Sequence, residues 1–327
     1  MTKPRLLFLS LGGTITMVQG TGSGITPQLG AAELVASVPA LAGVAEIEME
    51  SPFRLASPSL DPANLVEVAR RIEAGFAAGC DGAVVIQGTD TIEESAFLLD
   101  LLIGGDKPVV VTGAMRGADA PGADGPANLL AAAQVAASAA ARGLGTLVVL
   151  NDTIHAARWV QKAHTALPSA FASPMAGPIG VVAEGHARIF TRLARMPTLS
   201  AAGGAPAPVA LLTWTMGEDG RLLPALPGLG YAGLVVAGMG AGHVPAGVAP
   251  LLGELATQMP VVLASRCTTG PVFTATYGYP GAEIDLIGRG LIPAGTLNPL
   301  KARLLLGLHL RGAPGHAGLV EAFSAYH

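Results

Sequence analysis

Charge is scarce in this chain: only 13% of its 327 residues are Asp, Glu, Lys or Arg, and the net charge is −4. No basic face is available to neutralise phosphates, which argues against a nucleic-acid partner. Aromatics make up 4%, and there are two cysteines. Cys80 and Cys267 stand alone without metal-ligand spacing, which leaves no disulfide framework and no thiolate metal site. They read as two buried core thiols in a reducing, cytoplasmic compartment. No run approaches the roughly 18 to 20 uninterrupted apolar residues of a membrane helix. The opening stretch MTKPRLLFLS pairs basic residues with a short apolar run but lacks a proper cleavage site, so it reads as a first strand rather than a leader. Lysine is rare, confined to Lys3, Lys107, Lys162 and Lys301.

What the chain does contain is apolar. Half of it is hydrophobic, with 44 glycines and a mean hydropathy of +0.52. The length suits two domains rather than one core, and so uncharged a surface fits wide contacts between subunits. Short apolar runs at Arg5 to Leu11, Val44 to Glu50, Ala83 to Ile86, Pro108 to Thr112 and Thr146 to Leu150 read as strands, the later ones buried on both faces. Between them lie helix candidates at Ala31 to Val38, Asp61 to Ala78, Thr91 to Ile103 and Asn128 to Arg142. Asp61-Pro62 is a strong start signal, a cap residue followed by proline at the first helical position. Thr16 to Gly30, rich in glycine, reads as a mobile loop.

Alternation of strand and helix predicts an α/β fold, with a larger N-terminal domain whose mainly parallel sheet is flanked by helices (residues 1–191). A proline- and alanine-rich linker covers 192–208. Residues 209–327 form a smaller α/β domain, with strands at Val209 to Trp214, Gly233 to Ala237 and Val261 to Ser265 and helices near Val248 to Gln258 and Lys301 to Leu310.

The chemistry concentrates at strand ends, where open α/β sheets bind ligands. In AVVIQGTDTIEE the strand breaks at Gly88 and delivers Thr89 and Asp90 beside a helix whose first turn carries Glu93 and Glu94. Asp90 or Thr91 also reads as that helix's cap, so the pair serves either a site or the helix alone. Thr14 follows the first strand, and Lys162 follows the strand near Thr146. A lysine can lose its proton when desolvated, and a threonine hydroxyl needs a base to become a nucleophile. Thr, Lys and Asp in contact would supply nucleophile, base and orienting carboxylate. LGGTIT lacks the Gly-Lys-Ser/Thr of a phosphate-binding loop, and GMGAGH puts His243 where a dinucleotide motif needs glycine, so nucleotide binding is disfavoured. His155 and His164 flank Lys162 without metal spacing and read as structural, and Trp159 and Trp214 read as packing residues.

LGGTIT and QGTDTIEE, followed in order by KPVVVTGAM, ADGPANL, VVLNDTIHAARWVQK and AGTLNPLKARLLL, resemble the bacterial L-asparaginase family over nearly the whole chain. The resemblance implies a two-domain hydrolase of the asparagine side-chain amide. It would be a homotetramer built from dimers, with its sites between subunits and no cofactor or metal. It implies that Thr14 is the nucleophile, that Thr89, Asp90 and Lys162 complete the catalytic set, and that Ser57, Ser59, Gly88, Ala114 and Glu283 join Thr89 and Asp90 in holding substrate. Backbone N–H groups near Gly88, Thr89 and Ala114 would meet the oxyanion, and Met17 to Gly24 would form a lid.

Three positions depart from the family pattern. Ile25 stands nearest to where a lid tyrosine is usual, Pro58 where a substrate-touching glutamine is common, and His243 where an asparagine often reaches in from the neighbouring subunit. Tyr277 or Tyr279 is a candidate to replace the missing phenol across the interface. Glutamine, D-amino acids and other small amides stay open as substrates, as does a ligand-binding protein that has lost turnover.

Overall fold

The computed structural model describes residues 3–13, 15, 17–19, 25–27 and 31–327. The chain divides into two compact units, Met1–Ala201 and Ala202–His327.

In the first unit the elements run β1 (Arg5–Ser10), β2 (Met17–Gln19), β3 (Ile25–Pro27), α1 (Ala31–Ala36), α2 (Leu41–Val44), β4 (Glu46–Glu50), α3 (Pro62–Ala77), β5 (Gly82–Ile86), α4 (Ile92–Leu102), β6 (Val109–Thr112), α5 (Gly125–Ala136), β7 (Thr146–Leu150), β8 (Thr153–Ala156), β9 (Gln161–Lys162), β10 (Phe171–Ala172), β11 (Gly180–Ala183) and β12 (His186–Ile189). The main sheet is ordered β12-β11-β8-β7-β6-β5-β1-β4. From β4 to β7 the strands are parallel, while β8, β11 and β12 extend the sheet antiparallel. Every residue of β5, β6 and β7 is buried, as expected of strands covered by helices on both faces. From β1 the chain moves outward to β4 and then returns to the other side of β1 for β5. This reversal is a topological switch point, and the carboxyl ends of β1 and β5 flank the crevice there.

The second unit is an α/β layer built on a four-stranded parallel sheet: β13 (Val209–Thr213), β14 (Gly233–Gly238), β15 (Val261–Ser265) and β16 (Ile292–Pro293). Its helices are α6 (Ala249–Ala256), α7 (Glu283–Gly288), α8 (Pro299–Leu310) and α9 (His316–Ser324). Its core gathers Leu234, Val236, Leu252, Leu263 and Leu286 around the fully enclosed Trp214.

The expected α/β architecture is present, with local differences. Asp61 caps α3 as predicted, accepting from the Asn64 N–H at 2.9 Å while the Asn64 side chain accepts from the Asp61 N–H. Neither Asp90 nor Thr91 caps α4 through its side chain, because Thr89–Thr91 form a 3-10 turn and both side chains bond elsewhere. The helix expected from Asn128 to Arg142 starts earlier and stops at Ala136, and Ser138 begins a separate turn by accepting from the Ala140 N–H. Alanine propensity could not reveal that break. Within the expected loop from Thr16 to Gly30, Met17–Gln19 and Ile25–Pro27 pair as an antiparallel hairpin. The remaining residues of that loop and of the candidate lid lie outside the described residues. Cys80 is buried as expected, but Cys267 is exposed, since it follows β15 into the loop at the sheet's edge. Among the described residues no helix is long and apolar enough to cross a membrane, and no group of metal-ligating side chains gathers.

Candidate active site

The site is assembled where the loops after β1 and β5 touch. Gly12 and Gly13 take positive φ values of 109° and 92°. A Cβ on Gly13 would lie 2.0 Å from the backbone nitrogen of Gly88, so only glycine lets the two loops meet. Thr14, the next residue, lies outside the described residues. Ile15 is buried, with its side chain against Gly125.

The loop after β5 is held from three sides. Gln87 is fully buried, and its amide nitrogen donates to the Gly88 carbonyl and to Thr91 Oγ1, both at 3.2 Å. Ser57, buried in a 3-10 turn before α3, accepts from the Asp90 N–H through its hydroxyl at 3.2 Å, and its carbonyl accepts from Thr91 Oγ1 at 3.2 Å. On the far side Gly113 packs so closely that a Cβ there would sit 2.5 Å from the Gln87 carbonyl and 3.3 Å from Thr89 Cγ2. The backbone of the 87–91 loop therefore has little freedom, and its side chains point where the sheet sends them.

Lys162 reaches this loop from β9. Its ammonium donates to Thr89 Oγ1 at 2.9 Å and to Asp90 Oδ1 at 2.5 Å. Its side chain is 15% exposed, whereas that of Asp90 is 58% exposed. The half-buried cation is thus paired, and the open carboxylate keeps capacity for an incoming positive group. Thr89 Oγ1 accepts from lysine and retains its own proton to give away. Lys3 and Lys107 instead bond backbone carbonyls, of Ala42 and of Phe76 and Cys80 respectively. An open pocket of about 360 Å³ lies beside the set, lined by Asp90, Glu93, Lys162, Ala163, His164 and Thr165.

The expected residues thus fall into groups. Ser57, Gly88, Thr89, Asp90 and Lys162 meet, and buried Ala114 follows the Gly113 contact. Ser59 is exposed on the same turn as Ser57. Glu283 belongs to the second unit, where its carboxylate is buried and engaged by His243 and by the N–H groups of Thr276 and Tyr277.

Sequence reasoning assigned no role to Asp124 and Asn128. Asp124 accepts from the N–H groups of Met115 and Arg116 at 3.0 and 2.9 Å, and so does not cap α5. Asn128 donates to the Gly113 carbonyl at 3.0 Å and accepts from the Asn151 N–H at 2.8 Å. Together they tie the loops after β6 and β7 to one helix. Two polar residues four apart, at the start of an otherwise alanine-rich helix, were the available signal.

His155 is structural, as expected. It is buried in β8 with Nδ1 2.9 Å from Ser173 Oγ, and Nε2 has no hydrogen-bond partner among the described residues. Burial lowers its pKa to about 4. Unfolding returns the imidazole to its ordinary value near 6.5, so between these values the unfolded chain binds a proton that the folded chain refuses. Stability from this group is complete above pH 6.5 and falls as the pH drops towards 4, by about 3 kcal/mol at most. Urea unfolding from pH 7 to 4 should show a shallower fall for His155→Asn than for the parent chain. Equal slopes would remove His155 as the cause. His164 Nδ1 accepts from the N–H groups of Ala166 and Leu167, closing a turn beside the pocket.

Comparison with known proteins adds independent evidence. Residues 5–195 match the family model described as asparaginase, N-terminal, and residues 208–323 match the glutaminase/asparaginase C-terminal domain. A Deinococcus radiodurans protein named probable L-asparaginase is 41% identical over 318 residues, covering 93% of this chain and 92% of that protein. A Pseudomonas fluorescens glutaminase-asparaginase is 33% identical over 318 residues, covering 93% and 86%. The crystal structure of a probable cytoplasmic L-asparaginase from Campylobacter jejuni aligns with a TM-score of 0.88 at 32% identity, covering 98% of this chain and 99% of that one.

Proposed function

Because this chain belongs to the asparaginase/glutaminase family, as the models matching both of its units establish, we propose that it hydrolyses the side-chain amide of L-asparagine to L-aspartate and ammonia. The observation that carries this reading is the contact of Lys162 with both Thr89 and Asp90 at the switch point of the sheet.

In this mechanism Thr14 attacks the amide carbon, ammonia leaves, and water cleaves the resulting ester. Asp90, half-exposed beside the pocket, holds the substrate's α-ammonium group, and Ser57 and Ser59 face its α-carboxylate. Thr89 and Lys162 orient the water that cleaves the ester: as its oxygen bonds to the ester carbon its proton passes to Thr89 Oγ1, and the Thr89 proton passes to Lys162 acting as the free amine. The developing oxyanion is met by backbone N–H groups near Gly88, Thr89 and Ala114, each typically contributing about 3 kcal/mol in such sites. The close packing of Gly13, Gly88 and Gly113 supports this, because it leaves those amides little room to move.

A second substrate, L-glutamine, is favoured by the name of the Pseudomonas relative. Exposed Pro58 also stands beside Ser57 and Ser59 and offers no side-chain hydrogen bond to a longer amide or a shorter one. Ammonia release from L-asparagine, L-glutamine and their D-forms separates these readings. Asparagine is expected to give the largest kcat/KM. Aspartate binding without turnover on any amide would instead indicate a ligand-binding protein. Acid-quenching a reaction and locating the ester by mass spectrometry should place it on Thr14, and an ester on Thr89 would reassign the nucleophile.

The proposal includes a homotetramer built from dimers, each site completed by a neighbouring subunit. Multi-angle light scattering tests it, and a fully active monomer would rule it out. It also includes a cytoplasmic location, supported by the name of the Campylobacter jejuni protein and testable by cell fractionation.

A further inference from the structure

Asp124 and Asn128 stand at the start of α5 and share one piece of backbone, the turn from Gly113 to Arg116 that follows β6. Asn128 is 2% exposed, and both ends of its amide are engaged. Nδ2 donates to the Gly113 carbonyl and to Asp124 Oδ2, both at 3.0 Å, and Oδ1 accepts from the Asn151 N–H at 2.8 Å. These partners fix which end is which, because a backbone N–H only donates and a carbonyl only accepts. Asp124 adds the next two residues, with Oδ2 accepting from the Met115 N–H at 3.0 Å and Oδ1 from the Arg116 N–H at 2.9 Å.

The bond to the Gly113 carbonyl has a consequence one atom further along the chain. The Gly113–Ala114 peptide is trans, so its C=O and N–H lie in one plane and point in opposite directions. Asn128 holds the carbonyl on the α5 side, which turns the Ala114 N–H away from that helix. Ala114 is 1% exposed, and its methyl group lies against Gly125, where a Cβ would come within 3.5 Å. Among the described residues no acceptor meets the Ala114 N–H.

A buried N–H without an acceptor is rare in a native fold, and beside a site it is a donor kept for a ligand. This one adjoins Gly113, which packs on the Gln87 carbonyl and on Thr89 Cγ2, and Thr89 carries the bond from Lys162. The donor therefore stands next to the group that the amide reaction uses.

We propose that Asn128 and Asp124 are positioning residues that clamp the Gly113–Ala114 peptide, so that its N–H meets the oxyanion of the amide reaction. The inference rests on the amidohydrolase reading above. As a hydroxyl oxygen bonds to the amide carbon, the π pair of the C=O bond moves onto its oxygen. When the C–N bond breaks, that pair returns. A donor already aimed at the oxygen stabilises the charge without reorganising, whereas a free peptide would have to rotate first. Neither side chain touches substrate. Both act through the backbone they hold.

Asn128→Asp is nearly isosteric: it keeps an oxygen for the Asn151 N–H and places an acceptor against the Gly113 carbonyl. It should lower kcat for L-asparagine by about 30-fold while KM changes less than about 3-fold. Asp124→Asn, which spares one acceptor oxygen, should lower kcat by about 10-fold. The double variant should be no slower than about the worse single one, since both act on the same turn. Thr112→Val is the control for stability alone. It removes a buried bond of 2.7 Å from the Thr112 hydroxyl to the Val149 carbonyl and leaves the Gly113–Ala114 peptide untouched, so it should lower the melting temperature with parental kcat. Parental kcat in Asn128→Asp, or in Asp124→Asn should the first variant not fold, would overturn the proposal. Equal losses of kcat in Thr112→Val and Asn128→Asp would also overturn it, because general loosening would then explain both. A parent chain inactive on every amide would instead sink the functional reading itself.

Discussion

Lys162→Met is expected to lower kcat for asparagine by about 1,000-fold, equivalent to about 4 kcal/mol of transition-state stabilisation, with KM changing far less. Methionine keeps most of the length and apolar volume of the stem, so the change isolates the ammonium. That ammonium bonds both Thr89 Oγ1 and Asp90 Oδ1, and on the proposed mechanism its removal takes away the hydroxyl's proton-transfer partner. The carboxylate, already 58% exposed, stays hydrated, and on the proposed mechanism it can still hold the substrate's ammonium, which is why KM should hold. Steady-state kinetics with a coupled ammonia assay decide the matter. A variant retaining a tenth of parental kcat would move Lys162 out of the proton path and leave it a structural ion pair. Lys162→Arg should fare little better, because guanidinium keeps its proton under all ordinary conditions.

The second large effect is expected from a residue with no side chain. Gly13→Ala should abolish measurable turnover and destabilise the fold by about 3 kcal/mol or more. The added methyl would meet the backbone of Gly88 at 2.0 Å, at a φ of 92° that alanine avoids. Backbone cannot swing aside as a side chain can, so the loops after β1 and β5 would separate. The loop after β5 carries Thr89 and Asp90. Gly43→Ala is the matched control, since a Cβ there meets nothing within 4 Å and the position is helical. It should be neutral or mildly stabilising. Thermal melts of both variants give the comparison. Similar melting temperatures for the two would show that the Gly13 contact is not needed.

Much of the first unit could be read from local pattern. Continuous apolar runs gave β5, β6 and β7, because strands buried on both faces need no alternation. Asp61-Pro62 marked the start of α3 by a purely local mechanism, a side chain satisfying a free N–H group. The same reasoning failed one strand later. Thr91 sits at a cap position, but its hydroxyl bonds the Ser57 carbonyl 34 residues away, a competing partner that only the folded chain supplies. The antiparallel extension from β8 to β12 was also missed. Its three strands are four residues long each, too short to show a period, and most of β11 and β12 is at least partly exposed.

The sequence by itself determined the residue types and their addresses. A hydroxyl and a carboxylate stand side by side at a strand's carboxyl end, and a rare lysine lies past another strand. Glycines occupy the places where backbones must approach. Each of these is a local property, set by sterics, hydrogen-bonding capacity and the periodicity of burial. Tertiary structure alone decided which of them meet. Lys162 and Thr89 are 73 residues apart, and they touch only because the folded chain brings β9 against the loop after β5. Asn128 and the contacts of His243 with Glu283 and Tyr279 depend in the same way on pairings between separate segments. A hydrogen bond is worth forming where burial removes the competing water, and burial belongs to the whole fold rather than to any stretch of the chain.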